Sequence, residues 1–128
     1  EIGLSGGTID TSSTIDSLIN INGGEFILNG TADITGGTAR VEMTAGTFTW
    51  ESSDSAGASL IDLVELRGGL FRIVRDRGYR TVTTFNTYND ALADFRIGGL
   101  TTTFTNGIRS FSTNPPLMPI GTKYSFAV

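Results

Sequence analysis

The sequence has no cysteine and no histidine, and these two absences exclude several kinds of site. Without cysteine the chain can form no disulfide framework, no thiolate metal site and no cysteine nucleophile. Without histidine it lacks the usual general base and the commonest metal ligand. We therefore expect that the protein uses no metal ion and no cofactor.

Charge is also scarce, because charged residues make up 17% of the 128 residues and the formal net charge is −4. An acidic balance argues against binding along a nucleic-acid backbone. No apolar run approaches the ~18 residues that a membrane-spanning helix needs, so membrane insertion is not expected. The chain begins with Glu1 and shows no signal-peptide pattern, so we expect a processed product or part of a longer protein.

Glycine is abundant instead, with 17 residues, and threonine is also frequent. Threonine favours strands and glycine favours turns, so the composition indicates an all-β fold. A chain of 128 residues suits a single domain with its own buried core.

One short motif recurs along the chain: two apolar residues in alternation, a pair of small residues, and another apolar residue two positions later. Alternation with period two indicates β-strands, and the small pair is predicted to lie at a bend. The glycines that mark the five copies are separated by 17, 22, 23 and 29 residues. They are Gly7, Gly24, Gly46, Gly69 and Gly98.

Aligning the copies produces columns of one chemical character. Three columns are apolar: Ile2, Ile19, Val41, Val64 and Ala93; Leu4, Ile21, Met43, Leu66 and Phe95; and Ile9, Phe26, Phe48, Phe71 and Leu100. The columns between them are mainly polar: Gly3, Asn20, Glu42, Glu65 and Asp94; and Ser5, Asn22, Thr44, Arg67 and Arg96. A recurrence near 22 residues predicts a right-handed parallel β-helix, or β-solenoid, of about five turns. A hairpin sandwich would need turns every 8–12 residues and would not explain these columns.

The solenoid is predicted to span residues 1–111, with insertions at residues 75–80 and 86–90 that lengthen the fourth turn. Residues 112–128 are predicted to form an extended tail, because their prolines lack the N–H that ladder pairing needs. An open solenoid end must be covered, so the tail either caps the last turn or docks on a neighbouring subunit.

Glu42 and Glu65 are the strongest candidates for catalysis, and Asp94 follows them in the same column. Stacked in register, their carboxyl groups would lie about 5 Å apart, which is the separation in retaining glycosidases. The alternative is a surface ladder in which Arg67 and Arg96 offset the repulsion between the carboxylates. We favour the surface ladder, because an open sheet face has no pocket that excludes water.

Two segments are predicted to bind a partner. Five of the nine basic residues lie between positions 67 and 80, and loops on a rigid scaffold often carry function. Tyr79 and Tyr88 fall in the predicted insertions and are contact candidates. The predicted partner-binding residues are Arg72, Arg75, Arg77, Tyr79 and Arg80 in the basic segment and Pro115, Pro116, Leu117 and Met118 in the tail.

Ladders of Ile, Val and Phe with Asn, Thr and Gly at the bends resemble the parallel β-helix proteins. These include phage tailspikes, capsid decoration proteins, pectate-lyase-like enzymes and bacterial autotransporter adhesins. Residues 23–37 are similar to an autotransporter passenger repeat, whereas the arginine-rich insertion and the proline-rich tail are more similar to a viral structural protein. Pectate-lyase-like enzymes use clustered aspartates for calcium, while this chain offers one carboxylate per turn.

The resemblance implies a non-catalytic structural protein, of the virion decoration, cement or fibre type, located on the virion surface. It would bind a protein lattice such as a capsid and self-assemble, as a trimer. One alternative is an extracellular bacterial adhesin or glycan-binding module on the cell surface. A further alternative is a fragment of a polysaccharide hydrolase that uses Glu42 and Glu65.

Overall fold

The computed structural model describes residues 2–4, 8–10, 17–35, 37–52, 59–76 and 78–120. Within these ranges the only helix is a three-residue 3-10 turn, Gly99–Thr101, so none is long and apolar enough to cross a membrane. The strands are β1 (Ile2–Leu4), β2 (Thr8–Asp10), β3 (Ser17–Leu28), β4 (Asp33–Thr35), β5 (Ala39–Trp50), β6 (Ser59–Leu66), β7 (Leu70–Ile73), β8 (Arg80–Asn89), β9 (Leu92–Asp94), β10 (Thr102–Phe104) and β11 (Ile108–Ser112).

The strands of the described ranges pair in parallel, each with a strand about one turn further along the chain. Thus β3 pairs with β5, β5 with β6 and β7, β6 with β8, and β8 with β10 and β11. This is an all-β parallel solenoid, which confirms the predicted fold class. It has about four turns, so the predicted number of five is wrong.

The predicted columns are confirmed in the middle of the stack. Ile19 pairs with Val41, and Val41 pairs with Val64. Phe26 pairs with Phe48, which in turn pairs with Phe71. Equivalent side chains therefore lie directly above one another along the solenoid axis, about 4.8 Å apart.

The predicted columns are wrong at both ends of the stack. Ile2 pairs with Phe26 instead of Ile19, which puts 24 positions between the partners instead of the predicted 17. Phe71 pairs with Ala93 instead of Leu100, which puts 22 positions between them instead of 29. A turn of this solenoid keeps a nearly constant length, so copies spaced at 17 or 29 residues cannot be successive rungs.

The predicted insertion at residues 86–90 is also wrong, because residues 86–89 belong to β8, a regular rung of the stack. Val64 pairs with Phe85 and Leu66 pairs with Thr87, which are the next members of the two inward columns. Tyr88 is therefore a strand residue and does not lie in a loop.

The core is a file of aromatic side chains along the solenoid axis. Phe48 is fully buried and stacks between Phe26, with ring centroids 5.3 Å apart, and Phe71, at 4.7 Å. The file continues with edge-to-face contacts from Phe71 to Phe85 and Phe95. Each such pair contributes about 0.5–1.5 kcal/mol beyond the burial of apolar area.

Glycine forms the bends of the middle turns because the backbone there is left-handed and crowded. Gly46 has a φ of 88°, and a Cβ atom on it would lie 2.6 Å from the carbonyl oxygen of Gly24 in the turn before. Gly69, with a φ of 82°, meets the oxygen of Gly46 in the same way. The next bend uses Asn89, with a φ of 58°, because asparagine tolerates this conformation better than most residues. The predicted bend at Gly98 is wrong, since Gly98 has a φ of −100° and precedes the 3-10 turn.

Residues 113–119 cover the edge of β9 at the C-terminal end of the stack. The Leu117 N–H donates to the Ala93 carbonyl at 2.9 Å, and the Phe95 N–H donates to the Leu117 carbonyl at 2.7 Å. These bonds form a parallel bridge between Asp94 and Leu117, inside a segment predicted to make no ladder pairs. Leu117 can pair because it is not itself a proline and keeps its N–H.

Candidate functional site

The acidic column is formed only in part. Glu42 and Glu65 lie side by side on β5 and β6, as predicted. The next residue in the column is Asn86, so the prediction that Asp94 follows Glu65 is wrong. Asp94 lies on β9, in register with Arg72 of β7, because β8 supplies the rung that continues the first column.

Each of these carboxylates has an arginine partner on its own strand or just beyond it. Arg96 forms two side-chain hydrogen bonds with Asp94, at 3.0 and 2.8 Å, and these bonds lower the pKa of Asp94. The Arg67 Nη2 atom lies 3.8 Å from Glu65 Oε2, and the Arg40 Nη2 atom lies 2.5 Å from Glu42 Oε1.

The arrangement fits a surface ion-pair ladder, because each negative charge is offset by a guanidinium. A surface hollow along β3 is lined by residues 18–26, so neither Glu42 nor Glu65 lines it. The described residues also contain no group of three or more acidic side chains that could hold a metal ion.

The predicted basic segment is split between different environments. Arg72 donates to Thr49 at 2.9 Å and to Glu25 at 3.1 Å, so it joins three turns on the outer face of the stack. Arg75 is half-buried, and Tyr79 is 68% exposed. Arg77 lies outside the described residues.

Arg80, which was predicted as a partner contact, is held inside the protein, so little of its side chain is accessible to a partner. Only 2% of it is exposed, and its guanidinium donates to the carbonyl of Ser52 at 3.0 Å and to the hydroxyl of Thr101 at 3.1 Å. The guanidinium also lies 5.6 Å from the ring centre of Trp50. Burial lowers the pKa of Arg80. Arg80 therefore ties a loop and the 3-10 turn to the core.

The four predicted tail residues also differ in accessibility. Pro115 is exposed, whereas Pro116 is buried. Leu117 is half-buried and bonded to β9, and Met118 packs against the hydrophobic core. The structure therefore uses most of this segment to close the last turn, which leaves Pro115 as its accessible predicted contact.

A cluster of exposed aliphatic side chains, which we call the end patch, lies beside this closing segment. It consists of Ile97, Leu100 and Ile120, which are 53%, 73% and 103% exposed. Gly99 and Pro119 are in contact, since a Cβ atom on Gly99 would lie 3.0 Å from the proline ring. Leu100 and Ile120 directly follow these two residues, so their exposed side chains project from neighbouring positions of the backbone.

A second feature, which we call the outer-face stack, was not found from the sequence. It consists of Arg67, Tyr88 and Phe111 on successive rungs. The Arg67 guanidinium lies 4.6 Å from the ring centre of Tyr88, and the Tyr88 and Phe111 rings are stacked 5.5 Å apart with planes 15° apart. The sequence did carry a signal: once Phe85 is aligned with Val64, Tyr88 falls in the column of Arg67.

Comparison with known proteins offers no assignment for this site. No protein-family model matches the chain, and neither the curated proteins nor the solved structures contain a significant match.

Proposed function

We propose that this chain is a non-catalytic structural protein of the virion decoration, cement or fibre type, which binds a protein lattice and self-assembles through the end patch. The observation that carries the proposal is the strong exposure of three aliphatic side chains at the C-terminal end of the stack, two of which follow the neighbouring residues Gly99 and Pro119. Single exposed apolar residues are common on protein surfaces, but a contiguous apolar patch is typical of a protein–protein interface.

A non-catalytic role agrees with the chemistry of the acidic column. Glu42, Glu65 and Asp94 each lie beside an arginine, and Glu42 and Glu65 stand on an open sheet face. The side chains of Glu42 and Glu65 are 38% and 19% exposed, so solvent reaches both glutamates although one Glu65 oxygen is buried. The column is therefore best explained as a surface ladder.

Identical apolar patches on identical chains can pack around a symmetry axis without any need for matching charges. The end patch projects from the closing segment and from the 3-10 turn, both tied to the core by hydrogen bonds and by Arg80. A rigid patch of this kind loses little conformational entropy on association.

Light scattering coupled to size-exclusion chromatography tests the proposal. The wild-type chain is expected to elute as an oligomer of the 13.6 kDa protomer, with a trimer as the predicted state. Leu100→Asp is expected to shift it to the monomer, because a charge in the centre of an apolar contact loses its hydration on assembly.

Leu18→Asp is the matched control. Leu18 is an exposed leucine at the opposite end of the stack, 49% accessible, so its replacement should leave the oligomer intact. A wild-type chain that stays monomeric over the whole concentration range contradicts the proposal. So does an oligomer that survives Leu100→Asp combined with Ile120→Asp.

A further inference from the structure

The outer-face stack presents an aromatic ring to solvent at the end of a regular row. Phe111 is 49% exposed, although one face of its ring is covered by Tyr88 at 5.5 Å. The Tyr88 ring is covered on both sides, since Arg67 lies on one side and Phe111 on the other. Phe111 therefore offers the accessible ring of the stack.

An arginine lies beside this ring on the same face of the sheet. Arg109 and Phe111 are two positions apart on β11, so their side chains leave the strand on the same side. Arg109 is exposed and in register with Asn86 of β8. It makes no ion pair with any carboxylate of the described residues, in contrast to Arg40, Arg67, Arg72 and Arg96.

The ring position is held firmly by the groups beneath it. Burial raises the pKa of the Tyr88 hydroxyl, and the nearby charge of Glu65 raises this pKa further. The Tyr88 ring supports Phe111 through their stacking contact. Asn89, the next residue, donates to the carbonyl of Arg67 at 2.9 Å and fixes the end of the strand.

We propose that Phe111 and Arg109 form a binding site for an acidic glycan. The apolar C–H face of a pyranose ring would lie on Phe111, and the carboxylate of a uronic or sialic acid unit would pair with the two-pronged guanidinium of Arg109. Charge selects this ligand class, because the Arg109 guanidinium has no counter-ion among the described residues and the ring next to it is uncharged. The net charge of −4 disfavours a nucleic acid, which would place many phosphates against the acidic chain.

This site is separate from the end patch, so it does not depend on the proposed assembly. Arg109 and Phe111 project outward from the parallel sheet into solvent, whereas the end patch lies beside the 3-10 turn and the closing segment. Glycan binding can therefore be tested on the oligomer or on the monomeric Leu100→Asp variant.

Calorimetric titration of the full chain with a hyaluronan oligosaccharide tests the inference. Hyaluronan carries a glucuronate in every repeat, and a chitin oligosaccharide of the same length supplies sugar rings without the carboxylate. Saturable binding of hyaluronan, at least tenfold stronger than that of chitin, is expected. Phe111→Ala and Arg109→Gln should each weaken hyaluronan binding at least tenfold.

Two controls make the outcome decisive. Arg96→Gln removes an exposed arginine on a different part of the surface and should leave hyaluronan affinity unchanged. Polyglutamate and oligothymidine supply negative charge without pyranose rings and should bind at least tenfold more weakly than hyaluronan.

Equal affinity for hyaluronan and polyglutamate, or for hyaluronan and chitin, overturns the inference. So does hyaluronan binding that is absent in the wild-type chain or that is unchanged in both Phe111→Ala and Arg109→Gln. Tighter binding of oligothymidine would assign the site to nucleic acid instead. Unchanged thermal unfolding of Arg109→Gln, whose side chain is exposed, ensures that a loss of affinity is not a loss of fold.

Discussion

The middle of the stack, from β3 to β7, and its C-terminal end, from β8 to the closing segment, follow the same architecture by different means. In the middle, glycines form the bends and the apolar columns run without interruption. At the end, Asn89 forms the bend and residues 113–119 replace a regular rung. The comparison teaches that the register of a rung is hard to recognise in the sequence when its bend residue is not glycine, although the alternation of its apolar residues continues.

The bend at Asn89 also shows how the end region offsets the loss of glycine. A left-handed asparagine is strained relative to glycine, but its side chain can form a local bond that glycine cannot. Asn89 donates from its amide to the carbonyl of Arg67 in the turn before, and the Leu92 N–H donates to the carbonyl of Gly69. The bend therefore stays tied to its neighbouring rung.

The largest expected effect on the free energy of unfolding comes from truncating an aromatic side chain, and it differs between the two regions. Phe48→Ala, in the middle, removes a fully buried ring that stacks on two others and should lower the free energy of unfolding by about 3–5 kcal/mol. Phe111→Ala, at the end, removes a half-exposed ring with one stacking partner and should cost only about 0.5–1.5 kcal/mol. Chemical denaturation measures both values.

Thr47→Ala provides the control for Phe48→Ala, because Thr47 is the preceding residue and points to the other side of the strand. We expect it to cost less than about 0.5 kcal/mol. Similar costs for Thr47→Ala and Phe48→Ala would show that the assignment of inward and outward columns is wrong.

A smaller effect is expected at the bends. Gly69→Ala should destabilise the protein by about 2–4 kcal/mol, since it adds a left-handed alanine and forces a Cβ atom against the carbonyl oxygen of Gly46. Gly107→Ala is the matched control, because Gly107 has a φ of 73° but no atom within 4 Å of the added Cβ. It should cost only the backbone strain, about 1–2 kcal/mol.

Asn89→Gly extends this comparison to the end region. It relieves the strain of a left-handed side chain but removes the bond to Arg67, so the net change should stay within about 1 kcal/mol. Equal losses for Gly69→Ala and Gly107→Ala in thermal or chemical unfolding would mean that the close approach of successive bends does not determine their residue type.

The smallest expected effect concerns Asp94 and its pH dependence. Because Arg96 lowers the pKa of folded Asp94, the ion pair stabilises the protein above the ordinary carboxyl pKa of about 4, and this contribution is lost as the pH falls through the lowered folded value. Asp94→Asn should therefore cost about 0.2–1 kcal/mol at neutral pH and almost nothing in strong acid.

Denaturation curves of Asp94→Asn and the wild type at neutral and acid pH measure this difference. Asp90→Asn is the control, since Asp90 is exposed and forms no ion pair with the described residues. A cost of Asp94→Asn that is the same at both pH values would contradict the role assigned to Arg96.

The sequence predicted the solenoid and its middle columns because the alternation, the glycine pairs and the spacing near 22 residues agree there. It did not predict the rung of β8, because Asn89 and Asp90 do not resemble a glycine pair and the next glycine pair, at Gly98, is not a bend. The outer-face stack was missed for the same reason, since Tyr88 could be placed beside Arg67 only after that rung was recognised.

The burial of Arg80 could not be predicted either. An arginine in a run of basic residues resembles a solvated loop residue, and its bonds to Ser52 and Thr101 come from turns that are far apart in the sequence. Such contacts depend on how the loops fold back over the core, which alternation and spacing do not encode.

The crowded bends at Gly46 and Gly69 have one more consequence, because they bring successive turns together through backbone atoms and leave no room for a side chain between them. Ladder hydrogen bonds set the spacing of about 4.8 Å between rungs, so outward side chains can be replaced at a modest cost in stability while the grid on which they stand keeps its dimensions. Evolution or an engineer could therefore rewrite the pattern of charges and rings on the outer sheet face, one row at a time, and the scaffold would present each new pattern at the same pitch.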